Sequence, residues 1–267
     1  MNQSISEEYV ENKCSKLDQL YNEYPSPTLP FGILEDNWNH FSVDKDNRTI
    51  VPDHRFDDPF LTFLSEQMGG FEGKRILELG PLEGFHTHTF CQMGAKDVLG
   101  IEGNPRNFLK CLIVKNHYKM DAARFLVGDF TQYLEQEPDV RFSFIHAAGV
   151  LYHLARPMVL LEQVMQKTNA FSICTTLYDP ENQTFRMTGV TREFVLEGAE
   201  PFVLHERLNH AGVTLNKKHG LEESAWLISR KDLLRFIDFC GFDYKIFAAA
   251  KPKTGATRIR LFARKRE

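Results

Sequence analysis

The chain predicts an α/β fold, a parallel sheet with helices on both faces, and three observations carry that prediction. Short apolar runs and helical stretches alternate five times between Gly70 and Leu177. The first run, 75–79 (RILEL), breaks into two glycines four apart, Gly80 and Gly84. The second, 97–101 (DVLGI), ends in Glu102, at about the distance where a βαβ unit sets an acid on a ribose diol.

Each element has its own local reason. Residues 75–79 lie between Gly73 and Gly80, as a short buried strand does. Gly80 lets the backbone come close to a ligand. Gly84 lets the next helix, 85–93, pack tightly and aim its free N–H groups into the crevice at the strand's carboxyl end. That crevice suits a nucleoside-bearing ligand with an anionic end. GxxxG also occurs as plain turn chemistry. Glu102, placed just before Gly103-Asn104-Pro105, favours ribose recognition over a solvated strand-end acid. Asn104 and Pro105 form an N-cap and N1 pair for a helix running to about residue 118. A third strand, 123–128, leads into Asp129-Phe130, an acid for an adenine amino group beside a ring for the base face. A fourth, 142–146, runs into 147–153, and a fifth, 171–177, follows the helix that begins near Pro157.

The flanks read differently. Residues 1–58 form an N-terminal extension, polar at first and then broken by Pro25, Pro27 and Pro30, while 59–267 hold the main domain with an insertion at 179–225. A helix over 60–68 leads into the first strand. Within the insertion, 185–190 and 193–196 alternate like the arms of a hairpin, and a segment this long reads as a lid or a dimer contact. Ser229 and Asp232 then mark a helix start, Gly241 its end, and strands at 244–249 and 258–263 finish the sheet.

Together Glu78-Leu79-Gly80 with Gly84, Glu102, Gly128-Asp129-Phe130 and the segment after strand four resemble the class I S-adenosylmethionine-dependent methyltransferases. The resemblance covers about 70–177 and implies a doubly wound, Rossmann-like, seven-stranded sheet, mostly parallel with an antiparallel last strand. It implies S-adenosyl-L-methionine as cofactor, bound by Glu78, Gly80, Pro81, Gly84, His86, Thr87, Glu102, Asn104, Asp129, Phe130 and Gly149. The family usually has another glycine where Leu82 stands, and Pro81 stiffens the same turn. The string 149–157 (GVLYHLARP) is similar to the corresponding segment of tRNA wobble-uridine carboxymethyltransferases and related methyltransferases. That leaves carboxy-S-adenosyl-L-methionine open as the donor and tRNA as a minority acceptor.

A sulfonium donor is already activated, so methyl transfer chiefly needs donor and acceptor held in line. A base matters only when the acceptor must lose a proton. His153 is the first catalytic candidate and Tyr152 the group that orients donor or acceptor, although a histidine in such a loop is as often structural. Trp38, His40, His54 and Arg55 either line the acceptor pocket, as segments before the first strand do in this class, or staple the extension to the domain. His86 and His88, two apart on a helix, make no metal site by spacing; His146 and Cys91 are the residues that would have to join them, and no metal is assigned.

Composition sets the bounds. The 267 residues are 42% hydrophobic with a net charge of −4, enough for one large core and without a general polyanion-binding field. Five scattered cysteines without a CxxC pair argue against a disulfide framework and fit a reducing cytoplasm. No apolar run long enough for a membrane span and no secretory leader is read. Lys251, Lys253, Arg258, Arg260, Arg264, Lys265 and Arg266 crowd the C-terminal stretch, a solvated edge and tail before an RNA contact. A small-molecule acceptor leads, with a homodimer open. A nicotinamide-dependent oxidoreductase shares the strand, turn and distal acid but not the GxGxxG spacing, and a non-catalytic nucleoside-binding protein is the third class.

Overall fold

A computed structural model describes residues 38, 41–43, 50–52, 58–181, 187–208, 224–250 and 257–267. Before the main sheet, β1 (Phe41–Val43) and β2 (Ile50–Pro52) pair as an antiparallel ribbon. Helix α1 (Pro59–Met68) follows, with proline in its first turn, the Asp58 carboxylate capping Phe60 N and left-handed Gly69 ending it.

The five alternations then appear as β3 (Arg75–Leu79), α2 (Phe85–Gln92), β4 (Asp97–Glu102), α3 (Pro105–Tyr118), β5 (Ala123–Val127), α4 (Phe130–Gln136), β6 (Phe144–Ala148), a 3-10 turn (Leu151–His153), α5 (Pro157–Lys167) and β7 (Ala170–Thr176). Three strands follow: β8 (Met187–Phe194), β9 (Phe202–Leu208) and β10 (Ser224–Ile228), the last starting within the expected insertion and ending beyond it. Helix α6 (Arg230–Phe239), β11 (Phe242–Ala250) and β12 (Arg258–Lys265) close the chain. The main sheet has seven strands in the order β11-β12-β7-β6-β3-β4-β5. β3 to β7 run parallel, while β12 is antiparallel to both of its neighbours. The expected seven-stranded, mostly parallel sheet with an antiparallel last strand is what the chain forms.

Both faces are covered because successive strand residues point to opposite sides. Leu77, Leu79, Leu99, Ile101, Ile145 and Ala147 join one core with α4, α5 and α6. Ile76, Val98 and Phe144 join another with Phe60, Leu64, Phe85 and Phe90 of α1 and α2. A third, smaller cluster sets Cys111 and Val114 of α3 against Phe125 of β5.

The structure corrects three expectations. Strand four lies at 144–148 rather than 142–146, because pairing with β3 begins at Ile76 and pairing with β7 carries the strand on to Ala148 opposite Cys174, leaving Phe142 in an isolated bridge to Thr168. Of the supposed hairpin at 185–190 and 193–196, the described residues 187–194 form a single strand, β8, while 185 and 186 lie outside the described residues. Its partner is β9, and left-handed Gly198 lies in the connection between them. Thirdly, Asp129-Phe130 opens a helix that the sequence reading did not place.

The inserted strands make a separate antiparallel sheet, β10-β9-β8. Among the C-terminal basic residues, Arg260 pairs with Asp58, Arg264 donates to Gln67 O and Arg266 pairs with Asp238; their strand, β12, is not the expected edge but lies between β11 and β7. Lys251 and Lys253, like His40, His54, Arg55 and Cys14, lie outside the described residues. Cys91, Cys111, Cys174 and Cys240 are free thiols. Among the described residues, no helix is long and apolar enough to cross a membrane.

Candidate functional site

The strand order reverses between β3 and β6, which lie side by side in the sheet although β4 and β5 separate them in sequence. In an open parallel sheet such a reversal opens a crevice at the carboxyl ends of the strands. Two loops meet there, 80–84 after β3 and 149–153 after β6. Gly80 is left-handed, and a Cβ added to it would fall 2.6 Å from Cγ1 of Val150. The close approach that Gly80 permits is therefore to the second loop. Gly80→Ala is expected to destabilise the protein by about 2 kcal/mol, from left-handed strain plus overpacking. Denaturant unfolding checks this, and an unchanged midpoint would mean the two loops separate freely.

Leu82 is left-handed, with φ 57°, a conformation that favours glycine. What holds it there is Glu102. The Glu102 carboxylate accepts from Leu82 N through Oε2 and from Asn104 N through Oε1, both at 2.9 Å. Burial pushes the Glu102 carboxyl above its ordinary range, against the pull of those two N–H donors. One acid thus ties the first loop to the end of β4 and sits at the crevice. Gly84 is the left-handed N-cap of α2, and a Cβ there would meet the Phe125 ring at 3.2 Å. Pro81 is buried and packs towards Gly100, where an added Cβ would come 3.2 Å from Pro81 Cγ.

Inside the same loop lies a pair the sequence reading did not single out. Glu83 is fully buried, and its carboxylate accepts from Lys110 Nζ of α3 at 2.9 Å, with Lys110 only 2% exposed. The Lys110 ammonium also lies 5.4 Å from the Trp38 ring centroid. Trp38 therefore packs near the loop and its salt bridge.

Asn104 caps α3 through Arg106 N and Asn107 N, as its place before Pro105 predicts. Asp129 is exposed and caps α4 through Thr131 N and Gln132 N, with Phe130 half-buried behind it. Gly149 is left-handed, and a Cβ on it would lie 3.7 Å from the Tyr152 hydroxyl. That places Tyr152 beside the loop it follows, and burial pushes its phenol up, so the hydroxyl keeps its proton at neutral pH.

The inserted sheet closes over this second loop. Trp226 N donates to Leu154 O at 3.0 Å, the Arg192 guanidinium donates to Ala155 O, and Arg207 Nη2 lies 3.2 Å from His153 Nδ1. A guanidinium only donates, so His153 Nδ1 accepts and the proton of the neutral ring sits on Nε2. His153 is therefore a hydrogen-bond donor at Nε2. Arg207 is 4% exposed and also lies 5.6 Å from the Tyr152 ring. No sequence motif pointed to it, because a single arginine in an alternating strand reads as solvated.

Beneath the first loop, the strand registry places Glu78 opposite His146, and His146 opposite Ser172, in one row across β3, β6 and β7. His86, the second residue of α2, comes over that row, with Nδ1 3.0 Å from His146 Nε2 and 3.5 Å from Glu78 Oε1. Thr87 is buried and donates its hydroxyl to Glu78 Oε2. Cys91 stays outside this group, and burial together with the Glu78 charge pushes its thiol up to about 11. Of the residues that sequence named for the donor, Glu78 and Thr87 thus lie under the crevice, while Gly80, Pro81, Gly84, His86, Glu102, Asn104 and Gly149 surround its two loops and the end of β4.

A cavity of about 700 Å³, lined among others by Arg141, Glu162, Lys167 and Lys265, opens at the other end of the strands and contains none of these residues.

No family model matches the chain. Among curated proteins it is similar to tRNA U34 carboxymethyltransferases of Campylobacter hominis, 27% identical over 101 residues (37% of this chain), and of Colwellia psychrerythraea, 28% over 130 residues (47%). The matches span 34% and 39% of those relatives' length. The N-terminal domain of EvdMO1, solved in the presence of SAH and D-fucose, superposes over all of both chains with a TM-score of 0.67 at 18% identity. The Burkholderia thailandensis 1,6-didemethyltoxoflavin-N1-methyltransferase, with its bound substrate and S-adenosylhomocysteine, does so with a TM-score of 0.52 at 13% identity, over 100% of this chain and 93% of that one. At these identities the likeness is one of fold.

Proposed function

We propose that this protein transfers a methyl group from S-adenosyl-L-methionine to a small-molecule acceptor. The observation that carries the reading is Glu102, a buried carboxylate oriented by two backbone N–H groups at the end of β4, beside the glycine loop at the topological switch point. A nucleoside's ribose diol fits an acid so placed. Gly80, Pro81 and Gly84 shape the loop beneath the donor, and Asn104 ends the β4 side. Asp129 and Phe130 face the base, and Gly149 backs the sulfonium end. Glu78 and Thr87 support the loop from below, and His86 stands in the first turn of α2 for the anionic end. The fold shared with a structure solved with S-adenosylhomocysteine bound supports the same donor.

The acceptor side is the second loop under the inserted sheet. Tyr152 and His153 lie where the donor methyl would emerge, and Arg207 fixes the His153 tautomer. With its proton on Nε2, His153 orients the acceptor by donating a hydrogen bond. Tyr152→Phe and His153→Ala are expected to lower turnover more than tenfold while leaving S-adenosylhomocysteine affinity within about twofold, a loss of transition-state positioning alone. Full rates in both variants on the true substrate would remove them from the site.

The curated relatives favour a second reading, a carboxylated donor and a tRNA acceptor. Calorimetry with S-adenosylmethionine, S-adenosylhomocysteine, carboxy-S-adenosylmethionine and NAD, on protein checked for carried-over ligand, separates these. Tight binding of the first pair supports the proposal, and preference for the carboxylated donor promotes the tRNA reading. Binding of NAD alone overturns both.

A further inference from the structure

We propose that Glu78, His86 and His146 form a three-ligand site for a divalent first-row transition ion of the zinc class. The inference rests on side-chain geometry and goes beyond the donor reading, with which it shares Glu78 and His86. The three residues come from three elements, β3, α2 and β6, and one ligand atom from each lies within 4.8 Å of the others. The two resolved edges are 3.0 Å between the imidazole nitrogens and 3.5 Å between His86 Nδ1 and Glu78 Oε1. A tetrahedral zinc ion with bonds of about 2.0–2.1 Å spaces neighbouring ligand atoms by roughly 3.3–3.4 Å. These two edges bracket that spacing.

The surrounding contacts are those a ligand set needs. His146 Nδ1 lies 2.6 Å from Ser172 Oγ, which lets Nδ1–H donate and turns the Nε2 lone pair towards the other two groups. Glu78 Oε2 is held by the Thr87 hydroxyl, which leaves Oε1 to face the site. His146 is completely buried among Phe60, Phe90 and Phe144, and Glu78 is 2% exposed. The His86 side chain is 20% exposed, so the ion's remaining vertex opens on its side. Two imidazoles and one carboxylate select zinc, iron(II) or cobalt over magnesium or calcium.

The sheet registry makes the arrangement hard to dismiss as a chance meeting of surface groups. Glu78 and His146 interrupt otherwise apolar strands at paired positions, on the face that α2 covers. Without an ion, the two rings share one N–H and Glu78 Oε1 is left with a 3.5 Å contact.

The test uses the full chain, stripped with chelator and titrated with Co²⁺ by visible absorption and with Zn²⁺ by calorimetry. The expected result is one ion per chain with a ligand-field spectrum. His86→Gln and Glu78→Gln should each weaken binding at least tenfold, and His88→Gln, on the same helix, should leave it intact. Circular dichroism confirms that the variants fold. His86 is partly exposed, so its replacement spares the core if Glu78→Gln does not. Absence of stoichiometric binding, or wild-type titration by His86→Gln, overturns the proposal and leaves the trio a hydrogen-bonded relay. S-adenosylhomocysteine calorimetry on the wild-type chain, with and without the ion, reports the donor reading separately.

Discussion

Lys110→Met is expected to destabilise the protein by about 3–5 kcal/mol, the cost of breaking a buried ion pair by removing one member. Lys110 and Glu83 are 2% and 0% exposed, and their charged atoms are 2.9 Å apart. Removing the ammonium takes its 2.9 Å counter-charge from a carboxylate held in the interior, where hydration no longer offsets the carboxylate's self-energy. The consequence reaches function because Glu83 lies inside the 80–84 loop. The variant should therefore lose S-adenosylhomocysteine affinity as well as stability. Denaturant unfolding measures the first effect. The double variant Glu83→Gln with Lys110→Met should recover much of the loss, since a neutral pair needs no counterion. A loss below about 1 kcal/mol in the single variant would place the pair among ordinary surface bridges, despite its burial.

That pair also shows where sequence reading runs out. α3 carries Leu109 and Leu112 at 51% and 38% exposure, while Lys110 between them is buried. Polarity along the helix therefore points the wrong way round. The reason is tertiary: the loop after β3 supplies an acid, and a lysine long enough to reach it is drawn inward. By contrast β3 and β4 were legible almost to the residue, because short apolar strands between glycines and acids allow few other structures. The ends of β6 were not, since its range is set by what β3 and β7 pair with rather than by its own composition. β8 was misread as a hairpin because a mixed-polarity strand beside a glycine-containing connection carries the same local signal as two short arms.

The candidate site divides in the same way. The glycine loop, Glu102 and Asn104 were named from spacing, and the structure gathers them at the strand ends. The contact between His86 and His146 was not legible, because sixty residues separate the two rings and only the strand registry brings them together. Arg207 was hidden for a related reason. Its neighbours Tyr152 and His153 belong to a loop of the parent sheet, while Arg207 belongs to a separate sheet that covers the loop. Long-range partners of this kind leave no periodic trace.

Glu102→Ala is expected to weaken S-adenosylhomocysteine binding by about 1.5–3 kcal/mol, roughly ten- to a hundredfold in Kd, the range for hydrogen bonds made to a charged group. Glu102 ends β4 and Asp129 follows β5 at the same end of the sheet, and their settings decide which matters more. Asp129 is exposed and its carboxylate caps α4, so bulk water competes for it and its loss should cost the ligand less. Glu102 is 7% exposed, and the N–H groups of Leu82 and Asn104 fix both its oxygens. A carboxylate so oriented costs the ligand no reorganisation, and a low local dielectric strengthens the bond to a ribose hydroxyl. Glu102 also holds Leu82 in its left-handed conformation, so the alanine variant can lose affinity through the loop alone. Glu102→Gln separates the two causes: it keeps the size and one acceptor while removing the charge. If the glutamine variant retains the melting temperature and loses affinity, the carboxylate binds the ligand directly; if it retains both while alanine loses both, the acid acts only as the loop's anchor. Unchanged calorimetric affinity in both variants would sink the ribose assignment and, with it, the observation on which the proposed activity rests.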